Sequence, residues 1–463
     1  MKRIGIIGGG FSGTMTAVRL IEKSESPGEI ILIDQQHSIH KGIAYNPYSG
    51  KHLLNVVTGK MSAYAEQPEH FLDWIMEREE FNDMERTWLS NAFLPRHLYG
   101  EYLGEILEKA KQKAIAKGIK LKIIDCYVTD LDVTEHAVIL QLDKQSELKV
   151  NQCVLTTGNN IPRNPEIHTK TFYNSDKYFQ NPWEKTVVKN IKNQFPILII
   201  GNGLTMVDTV LGLLENGYDG TIYSISPNGF NILPHRHNGL KYTKLIEESN
   251  EKMSLYEWVK LLNKHIKSVR KLGISAEPVI DSLRPHTQRI WRSLSDREKA
   301  LFMKRLRHLW GVARHRIPLH IHDKIQQLRI DGKLHILSGK IIDCKESEVA
   351  VMVEFYDKKD EKTKSINVSR VINCTGPETD LMQIKNHYLM NCLLKGMLTQ
   401  DKLKLGINTN TETFQVINAD GQPHSRLFTI GSNLKGELWE STAVNELRIQ
   451  ADKLAEQLKF SEN

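Results

Sequence analysis

The sequence predicts an α/β protein with two Rossmann-like, dinucleotide-binding domains, the second of which carries a helical insertion. Three observations predict this architecture. A strand, a glycine turn, a helix and a second strand stand at the N-terminus, the same unit recurs near residue 200, and a long helix-like segment follows that second copy. A chain of 463 residues has room for two or three domains of typical size.

The first unit begins with the β-rich run 3–7, which leads directly into a G-x-G-x-x-G turn. Gly8 permits a tight turn, Gly10 lets the backbone approach a pyrophosphate, and Gly13 lets the helix pack closely on the strand. The free N–H groups at the helix N-terminus favour an anion there. The candidate binding residues of this turn are Gly8, Gly10, Phe11, Ser12 and Gly13.

The second strand of this unit, residues 30–33, ends in Asp34. A carboxylate at this position accepts hydrogen bonds from ribose hydroxyls and repels a 2′-phosphate. The first site is therefore predicted to take FAD or NAD in preference to NADP. The alternative is a glycine-rich turn that binds no ligand.

The second unit repeats the pattern 193 residues after Gly8, with the buried run 195–200 before its turn. Met206 replaces the third glycine, and the second strand leads into Ser226 and Pro227 without an acid. The choice between NADH and NADPH therefore stays open, with NADPH slightly favoured. The alternative is a degenerate unit that binds no dinucleotide. The candidate binding residues are Gly201, Gly203, Leu204 and Thr205.

Two further apolar runs, 153–158 and 371–377, end in similar Thr-Gly pairs. Such a strand ends beside a bound dinucleotide or carries the chain into the other domain. Gly158 and Gly376 are therefore candidate binding residues, and the pair indicates two nested domains.

Composition narrows the class of protein. Hydrophobic residues make up 40% and charged residues 25%, which excludes a disordered chain. The net charge of +7 suits nucleotide ligands but is too diffuse to indicate nucleic acid. No apolar run approaches 18 residues and no signal-peptide cleavage site follows the N-terminus, so we expect a cytoplasmic protein that does not enter the membrane.

The five cysteines, at positions 126, 153, 344, 374 and 392, form no C-x-x-C pair. A disulfide framework, a cysteine zinc site and a dithiol redox centre are therefore all unsupported. The histidine pairs 235/237 and 320/322 lack accompanying ligands with structural-zinc spacing, so no metal is predicted.

The segments together form a recognisable set. It comprises residues 6–13, 42–45, 52–56, 61–63 with Pro68, Phe71 and Trp74, 94–96 with Tyr99 and Gly100, 203–208, 283–285 with 287–288, 310–316, 373–377 and 436–446. This set resembles the two-dinucleotide-binding-domain flavoproteins. More specifically, it resembles the FAD-NAD(P)-binding protein family, which is related to the class B flavin monooxygenases and the ornithine/lysine N-hydroxylases.

The resemblance implies FAD at the first unit and NAD(P)H at the second. It implies an FAD-binding domain formed by residues 1–190 and 369–463. The NAD(P)-binding domain is then 191–368, with the helical insertion at about 229–330. Family members often carry a basic pair after the second strand of the NAD(P) unit, whereas this chain has Ser-Pro-Asn at 226–228, which keeps the NADPH preference open.

A loop rich in Gly, Asn, His and Ser, residues 41–63, follows the acid-ended strand. Its candidate contacts with the flavin ring or ribityl chain are His52, Asn55, Met61 and Ser62, and an ordered surface loop is the alternative. Arg96, at the start of a helical run, is a candidate partner for a flavin phosphate. The alternative is an ordinary surface arginine.

Two later segments carry further expectations. Gly431 ends a strand and Thr442 precedes the final helix, whose N-terminus the resemblance directs at the flavin, where its dipole would stabilise negative charge on the reduced ring. The alternative is an ordinary strand–loop–helix terminus. The helix-like segment 229–330 is dense in arginine and histidine, and either caps the active site and binds an acidic substrate or is a solvated insertion with paired charges.

These observations lead to a functional hypothesis. The chain is predicted to be an FAD-dependent oxidoreductase that uses NAD(P)H, by resemblance a monooxygenase of the N-hydroxylase type acting on a small metabolite. The alternatives are a reductase or dehydrogenase with a non-oxygen acceptor and a non-enzymatic FAD/NAD(P)-binding sensor. Flavin carries the chemistry, so no catalytic residue is assigned, and the substrate and oligomeric state stay open.

Overall fold

A computed structural model describes residues 1–35, 39–144, 147–191, 195–236, 240–250, 252–384 and 388–461. Its strands are β1 (Arg3–Ile7), β2 (Glu29–Asp34), β3 (Lys120–Asp125), β4 (Val128–Val133), β5 (Val138–Leu142), β6 (Leu148–Val150), β7 (Gln152–Leu155), β8 (Tyr178–Phe179), β9 (Ile197–Ile200), β10 (Ile222–Ser226), β11 (Leu334–Glu346), β12 (Val351–Asp357), β13 (Lys362–Val368), β14 (Arg370–Asn373), β15 (Gln415–Ile417) and β16 (Pro423–Thr429).

The helices are α1 (Phe11–Lys23), α2 (His70–Met76), α3 (Arg86–Asn91), α4 (Arg96–Ala116), α5 (Leu204–Glu215), α6 (Lys244–Glu247), α7 (Leu255–Lys271), α8 (Glu277–Ser282), α9 (Thr287–Ser293), α10 (Asp296–Arg305), α11 (Arg307–Arg314), α12 (Leu319–Ile330), α13 (Tyr388–Leu394), α14 (Lys435–Leu438) and α15 (Val444–Leu458). Within the described residues the strands form three sheets, of six, seven and three strands.

The six-stranded sheet has the order β15-β16-β7-β1-β2-β3. Its inner strands β16, β7, β1 and β2 pair in parallel. Because helices α1, α4 and α15 cover one face and the small sheet β4-β5-β6 covers the other, β1 and β2 are buried on both sides. This explains why their sequences are continuous apolar runs rather than alternating ones.

The seven-stranded sheet has the order β13-β12-β11-β10-β9-β14-β8. Strands β10 and β14 pair in parallel with β9 on either side, as β2 and β7 do with β1. Each glycine turn thus follows the central strand of a three-strand parallel core. The predicted fold class, with two such dinucleotide-binding folds and a helical insertion in the second, is confirmed.

The sheets divide the chain differently from the predicted boundaries at 190/191 and 368/369. Strands β8 and β14 both pair within the seven-stranded sheet, so the chain enters the second domain before residue 178 and leaves it after residue 373. The reason is that β14 must lie beside β9 to complete the parallel core, a pairing between positions far apart in the chain.

The helical insertion is also shorter than the predicted span of about 229–330. Helix α12 belongs to the second Rossmann unit, because its Ile321 and Ile325 pack in the same core as Ile197 and Val210. It lies in the connection between the parallel strands β10 and β11. The insertion proper therefore comprises α6 to α11.

Two general features complete the fold. All five cysteines lie in the described part of the chain, and each is a buried free thiol. Over the same residues, none of the helices is long and apolar enough to cross a lipid bilayer.

Candidate functional site

The first glycine turn shows why its glycines are required. Gly8 has a φ of +105°, in the left-handed region that favours glycine. A Cβ on Gly8 would overlap the carbonyl oxygen of Thr156, and a Cβ on Gly13 would overlap that of Gly8. Gly10 is different, because its Cβ would meet only the Cα of Gly42, at an ordinary 3.6 Å.

The second glycine turn repeats this division of roles. Gly201 has a φ of +109°, and a Cβ there would overlap the carbonyl oxygen of Cys374. A Cβ on Gly203 would meet no described atom within 4 Å. The protein's own packing therefore explains Gly8, Gly13 and Gly201 but not Gly10 and Gly203, the two positions where a pyrophosphate would approach the backbone. Both turns fit a dinucleotide.

Asp34 lies against the first glycine turn. Its carboxylate accepts hydrogen bonds from the backbone N–H of Gly9 at 2.6 Å and of Gln35 at 2.7 Å. The carboxylate therefore helps to fix the conformation of the turn while its remaining acceptor positions are free for ribose hydroxyls. The register of β10 against β9 places Ser226 at the equivalent position of the second unit.

A cavity of about 710 Å³ lies between the two domains. The second domain contributes the glycine turn, the end of β10 and the segment after β14, and the insertion contributes α11. The predicted site residues that line it are Gly158, Gly201, Gly203, Leu204, Thr205, Gly376 and Thr442.

The two segments that connect the domains are joined to each other beside this cavity. The side-chain amide of Asn160 donates to the carbonyl of Glu378 at 3.2 Å, and the backbone N–H of Glu378 donates to the carbonyl of Ile161 at 3.3 Å. Gly158 and Gly376 precede these contacts and line the cavity. The connection between the domains therefore forms one wall of the site.

The C-terminal segment is held against α1 by a buried network. Gly431 donates its N–H to Gln450 at 2.9 Å and accepts from the hydroxyl of Ser441 at 2.7 Å, and Gln450 also donates to Ser441. A Cβ on Gly431 would lie 3.1 Å from the hydroxyl oxygen of Ser12. The first turn of α1, residue 431 and the start of α15 therefore converge, and Thr442 is exposed to the cavity beside them.

Of the remaining predicted residues of the first turn and the loop, Phe11, Met61 and Ser62 are buried in the first domain, whereas Asn55 is partly exposed. Phe11 packs in the core of that domain, where its ring lies 6.3 Å from that of Tyr99. Met61 is buried in the same core. Ser62 donates to backbone carbonyls and its own carbonyl accepts from Arg448 at 2.9 Å. The carbonyl of Asn55 lies 3.2 Å from His235 Nε2.

His52 and Arg96 of the first domain lie at the contact between the domains, beside Asp208 of the second. Arg96 forms an ion pair of 3.0 Å with Asp208 of α5, and His52 Nε2 donates to the backbone carbonyl of Asp208 at 2.9 Å. Burial lowers the pKa of His52 and raises the pKa of Asp208, although the charge of Arg96 opposes the latter shift.

The sequence did not single out Thr156 or Lys435, and it placed Arg307 only within the basic segment 229–330. The Thr156 hydroxyl donates to the carbonyl of Gly8 at 2.8 Å and closes the first turn. Arg307 and Lys435 line the cavity from the insertion and the C-terminal segment. No local pattern distinguishes these side chains, because Thr156 contacts a residue 148 positions away and Arg307 and Lys435 reach the cavity from different segments of the chain. Among the described residues no group of three metal-ligating side chains occurs, and His237 lies outside them.

The fold and the two turns define a class of protein, the dinucleotide-binding proteins with two nested Rossmann domains. Residues 5–160 match the family model described as FAD-NAD(P)-binding. The resemblance found in the sequence is confirmed over this span. A comparison with curated proteins finds no match.

Solved structures with the same fold extend over the whole chain. The L-lysine 6-monooxygenase of Pseudomonas syringae is 15% identical with a TM-score of 0.66, covering 99% of each chain. The ornithine N-hydroxylase of Kutzneria sp. 744, determined with reduced FAD, NADP⁺ and L-ornithine, is 13% identical with a TM-score of 0.65, covering 98% of each chain. The ornithine hydroxylase of Pseudomonas aeruginosa is 14% identical with a TM-score of 0.65, covering 99% of this chain and 98% of its own. The architecture is therefore that of two-dinucleotide-binding-domain flavoproteins.

Proposed function

We propose that the chain is an FAD- and NAD(P)H-dependent oxidoreductase, and specifically a monooxygenase that acts on a small metabolite. The observation that carries the proposal is the pair of glycine turns, each with one glycine, Gly10 or Gly203, that the protein's own packing leaves free to face a ligand. The cavity between the domains, lined by residues of both, supports a reaction between the two ligands. The solved enzymes of the same fold hydroxylate ornithine or lysine, which supports oxygen transfer to a small amine.

The first domain would hold FAD and the second NAD(P)H. The N–H groups at the start of α1 and α5 would receive the two pyrophosphates, and Asp34 would accept hydrogen bonds from a ribose. When bound, FAD supplies the two-electron redox chemistry and the reaction with oxygen. Overall, one oxygen atom goes to the substrate and the other to water, with two electrons from NAD(P)H.

The chain's own residues would position the ligands and exclude water. The Gly431–Ser441–Gln450 network fixes the start of α15, whose N-terminal N–H groups stabilise negative charge nearby. The insertion closes the cavity through α11. Because a closed site excludes water from the reacting flavin, this closure would limit the release of peroxide without product.

The experiment that tests the function uses the purified full-length chain, which is incubated with FAD and then separated from unbound FAD. We expect a yellow protein that oxidises NAD(P)H and releases peroxide when no substrate is present. Addition of a substrate should stimulate the oxidation, suppress peroxide and incorporate labelled oxygen into product. A colourless protein that takes up no FAD would contradict the proposal, and stimulation without oxygen incorporation would replace the monooxygenase by a reductase or dehydrogenase.

The position of Ser226 leads to a prediction about the coenzyme. Ser226 occupies in the second unit the place that Asp34 occupies in the first, and a neutral side chain there tolerates a 2′-phosphate. We expect the wild-type protein to use NADPH better than NADH. Ser226→Asp should lower the ratio of kcat/KM for NADPH to that for NADH by about tenfold or more, about 1.4 kcal/mol of repulsion. Ser226→Asn is the uncharged control, and an unchanged ratio in Ser226→Asp would place the 2′-phosphate elsewhere.

A further inference from the structure

The charges that line the cavity are unbalanced. Its charged lining side chains are Arg307 of α11, Lys435 of α14 and Glu378, with His308 and His315 as the other titratable groups. Glu378 is engaged locally, because its carboxylate accepts hydrogen bonds from the backbone N–H groups of the next two residues at 2.7 and 2.8 Å. Two cations therefore face the cavity with one carboxylate that is already hydrogen-bonded.

Neither cation has a counterion in the described part of the chain. The Arg307 guanidinium contacts His308 Nε2 at 3.2 Å, and the Lys435 ammonium lies 5.3 Å from the ring centroid of Trp439. Neighbouring arginines of the insertion are neutralised instead: Arg314 pairs with Glu440 at 3.3 Å, and Arg316 pairs with Glu277 at 2.6 Å. Arg307 and Lys435 thus differ from these two arginines in having no carboxylate partner among the described residues.

The two cations also interact with each other. Withdrawal from water lowers the pKa of Arg307 and of Lys435, and the charge of Arg307 lowers that of Lys435 further. Lys435 is partly buried and Arg307 is exposed to solvent, so water screens their repulsion in part, and the remainder is a cost to the folded protein. A bound carboxylate or phosphate would remove this cost.

The segment that carries Lys435 is packed against the insertion. The ring of Trp291 in α9 stacks on that of Trp439 at 4.9 Å, and its indole N–H donates to the carbonyl of Gly436 at 2.7 Å. The insertion is therefore fixed to the C-terminal segment beside the cation pair.

The second glycine turn is a separate site for phosphate, because the N-terminus of α5 begins there at Leu204.

We propose that Arg307 and Lys435 bind an anionic group, carboxylate or phosphate, of the substrate, which makes the substrate class an anionic small molecule rather than a simple diamine. The inference rests on the proposed function in so far as the cavity is the reaction site. It specifies what the insertion contributes to that site, namely one half of an anion subsite whose other half lies in the C-terminal segment.

Inorganic phosphate and malonate serve as probes of the subsite. The full-length, FAD-loaded protein is saturated with NADP⁺, and thermal unfolding is followed while either anion is added at constant ionic strength. We expect a saturable rise in Tm in the wild-type protein and at least a tenfold weaker apparent affinity in Arg307→Met and in Lys435→Met. Arg305→Met, which removes an exposed arginine that does not line the cavity, should leave the affinity unchanged.

Anion-free buffer provides a second, independent readout. Both variants should be at least as stable as the wild-type protein there, because each removes the repulsion between two cations. A large loss of stability in either variant would show instead that the side chain is structural. The titration is repeated without NADP⁺. Anion binding that occurs only in its absence would assign the two cations to the coenzyme and overturn the inference, as would the absence of saturable binding in both conditions.

A substrate screen gives a third readout, with L-lysine and cadaverine as one matched pair that differs only in the carboxylate. Stimulation of NADPH oxidation should be confined to compounds with a carboxylate or phosphate, and a preferred substrate without either group overturns the inference. If the protein takes up FAD and oxidises NADPH but binds no anion, only this inference fails. If Arg307 and Lys435 bind the probes but the chain takes up no FAD, only the proposed function fails.

Discussion

Replacement of Gly10 by valine is expected to abolish retention of FAD while the protein stays folded. Gly10 has φ −69° and ψ −164°, an extended conformation that valine adopts readily. Within the protein, a Cβ there makes only an ordinary contact with Gly42. The added methyl groups would instead occupy the space through which a pyrophosphate reaches the N–H groups of α1. The measurement is the ratio of flavin to protein after gel filtration, together with thermal unfolding.

Gly203→Val is the matched control, because Gly203 has the same extended backbone and the same open surroundings in the second unit. This variant should retain FAD normally and require a much higher concentration of NAD(P)H, seen as a raised KM. Equal loss of FAD in both variants would contradict the assignment of one dinucleotide to each domain. Unfolding of Gly10→Val would show that the glycine is needed for packing.

Replacement of Arg96 by methionine is expected to lower the free energy of unfolding by about 3–5 kcal/mol, the usual cost of leaving a buried charge without its partner. Arg96 starts α4 of the first domain and pairs with Asp208 of α5 in the second, and both side chains are at most 15% exposed. Chemical denaturation measures the change. Arg86→Met is the control, because Arg86 makes its ion pairs on the surface and should cost about 1 kcal/mol or less.

The loss of free energy of unfolding in Arg96→Met should depend on pH in a defined direction. The folded-state pKa of Asp208 lies above its ordinary value of 3.8, chiefly through burial, and removal of the cation raises it further. The protonated carboxyl needs no partner, so the deficit should shrink as the pH falls through this raised pKa and grow as the pH rises. Asp208→Asn in the same background should recover part of the loss. If Arg96→Met instead loses FAD without loss of stability, Arg96 acts on a flavin phosphate, as the sequence suggested.

Much of the fold could be predicted from short segments of the sequence. The continuous apolar runs before each glycine turn identified β1 and β9, and the positions of Gly8, Gly13 and Gly201 followed from contacts that any Rossmann unit makes between strand, turn and helix. Gly13 contacts Gly8, which is close in the chain. Gly8 and Gly201 each contact the carbonyl of the residue that follows the neighbouring parallel strand, Thr156 after β7 and Cys374 after β14. Their signal is therefore present in residue type and spacing alone.

Long-range pairing could not be read in the same way. The sequence assigned the start of the last FAD-domain segment to residue 369, whereas β14 pairs with β9 in the second sheet, because nothing in a short apolar strand specifies which neighbour it joins. Likewise, a helical period placed α12 in the insertion, although its apolar face packs on the Rossmann core. Both differences arise where an element's partner, rather than its type, decides its domain.

The sequence by itself determined the fold class, the two glycine turns and the acid at residue 34, because backbone conformation and hydrophobic period are properties of consecutive residues. Only the tertiary structure decided which side chains meet across the chain. It placed Arg96 against Asp208 at the domain interface and brought Arg307 and Lys435, 128 positions apart, to one cavity without a counterion. Charge in a sequence is only a count, and its effect depends on distance and burial, which the folded chain alone defines.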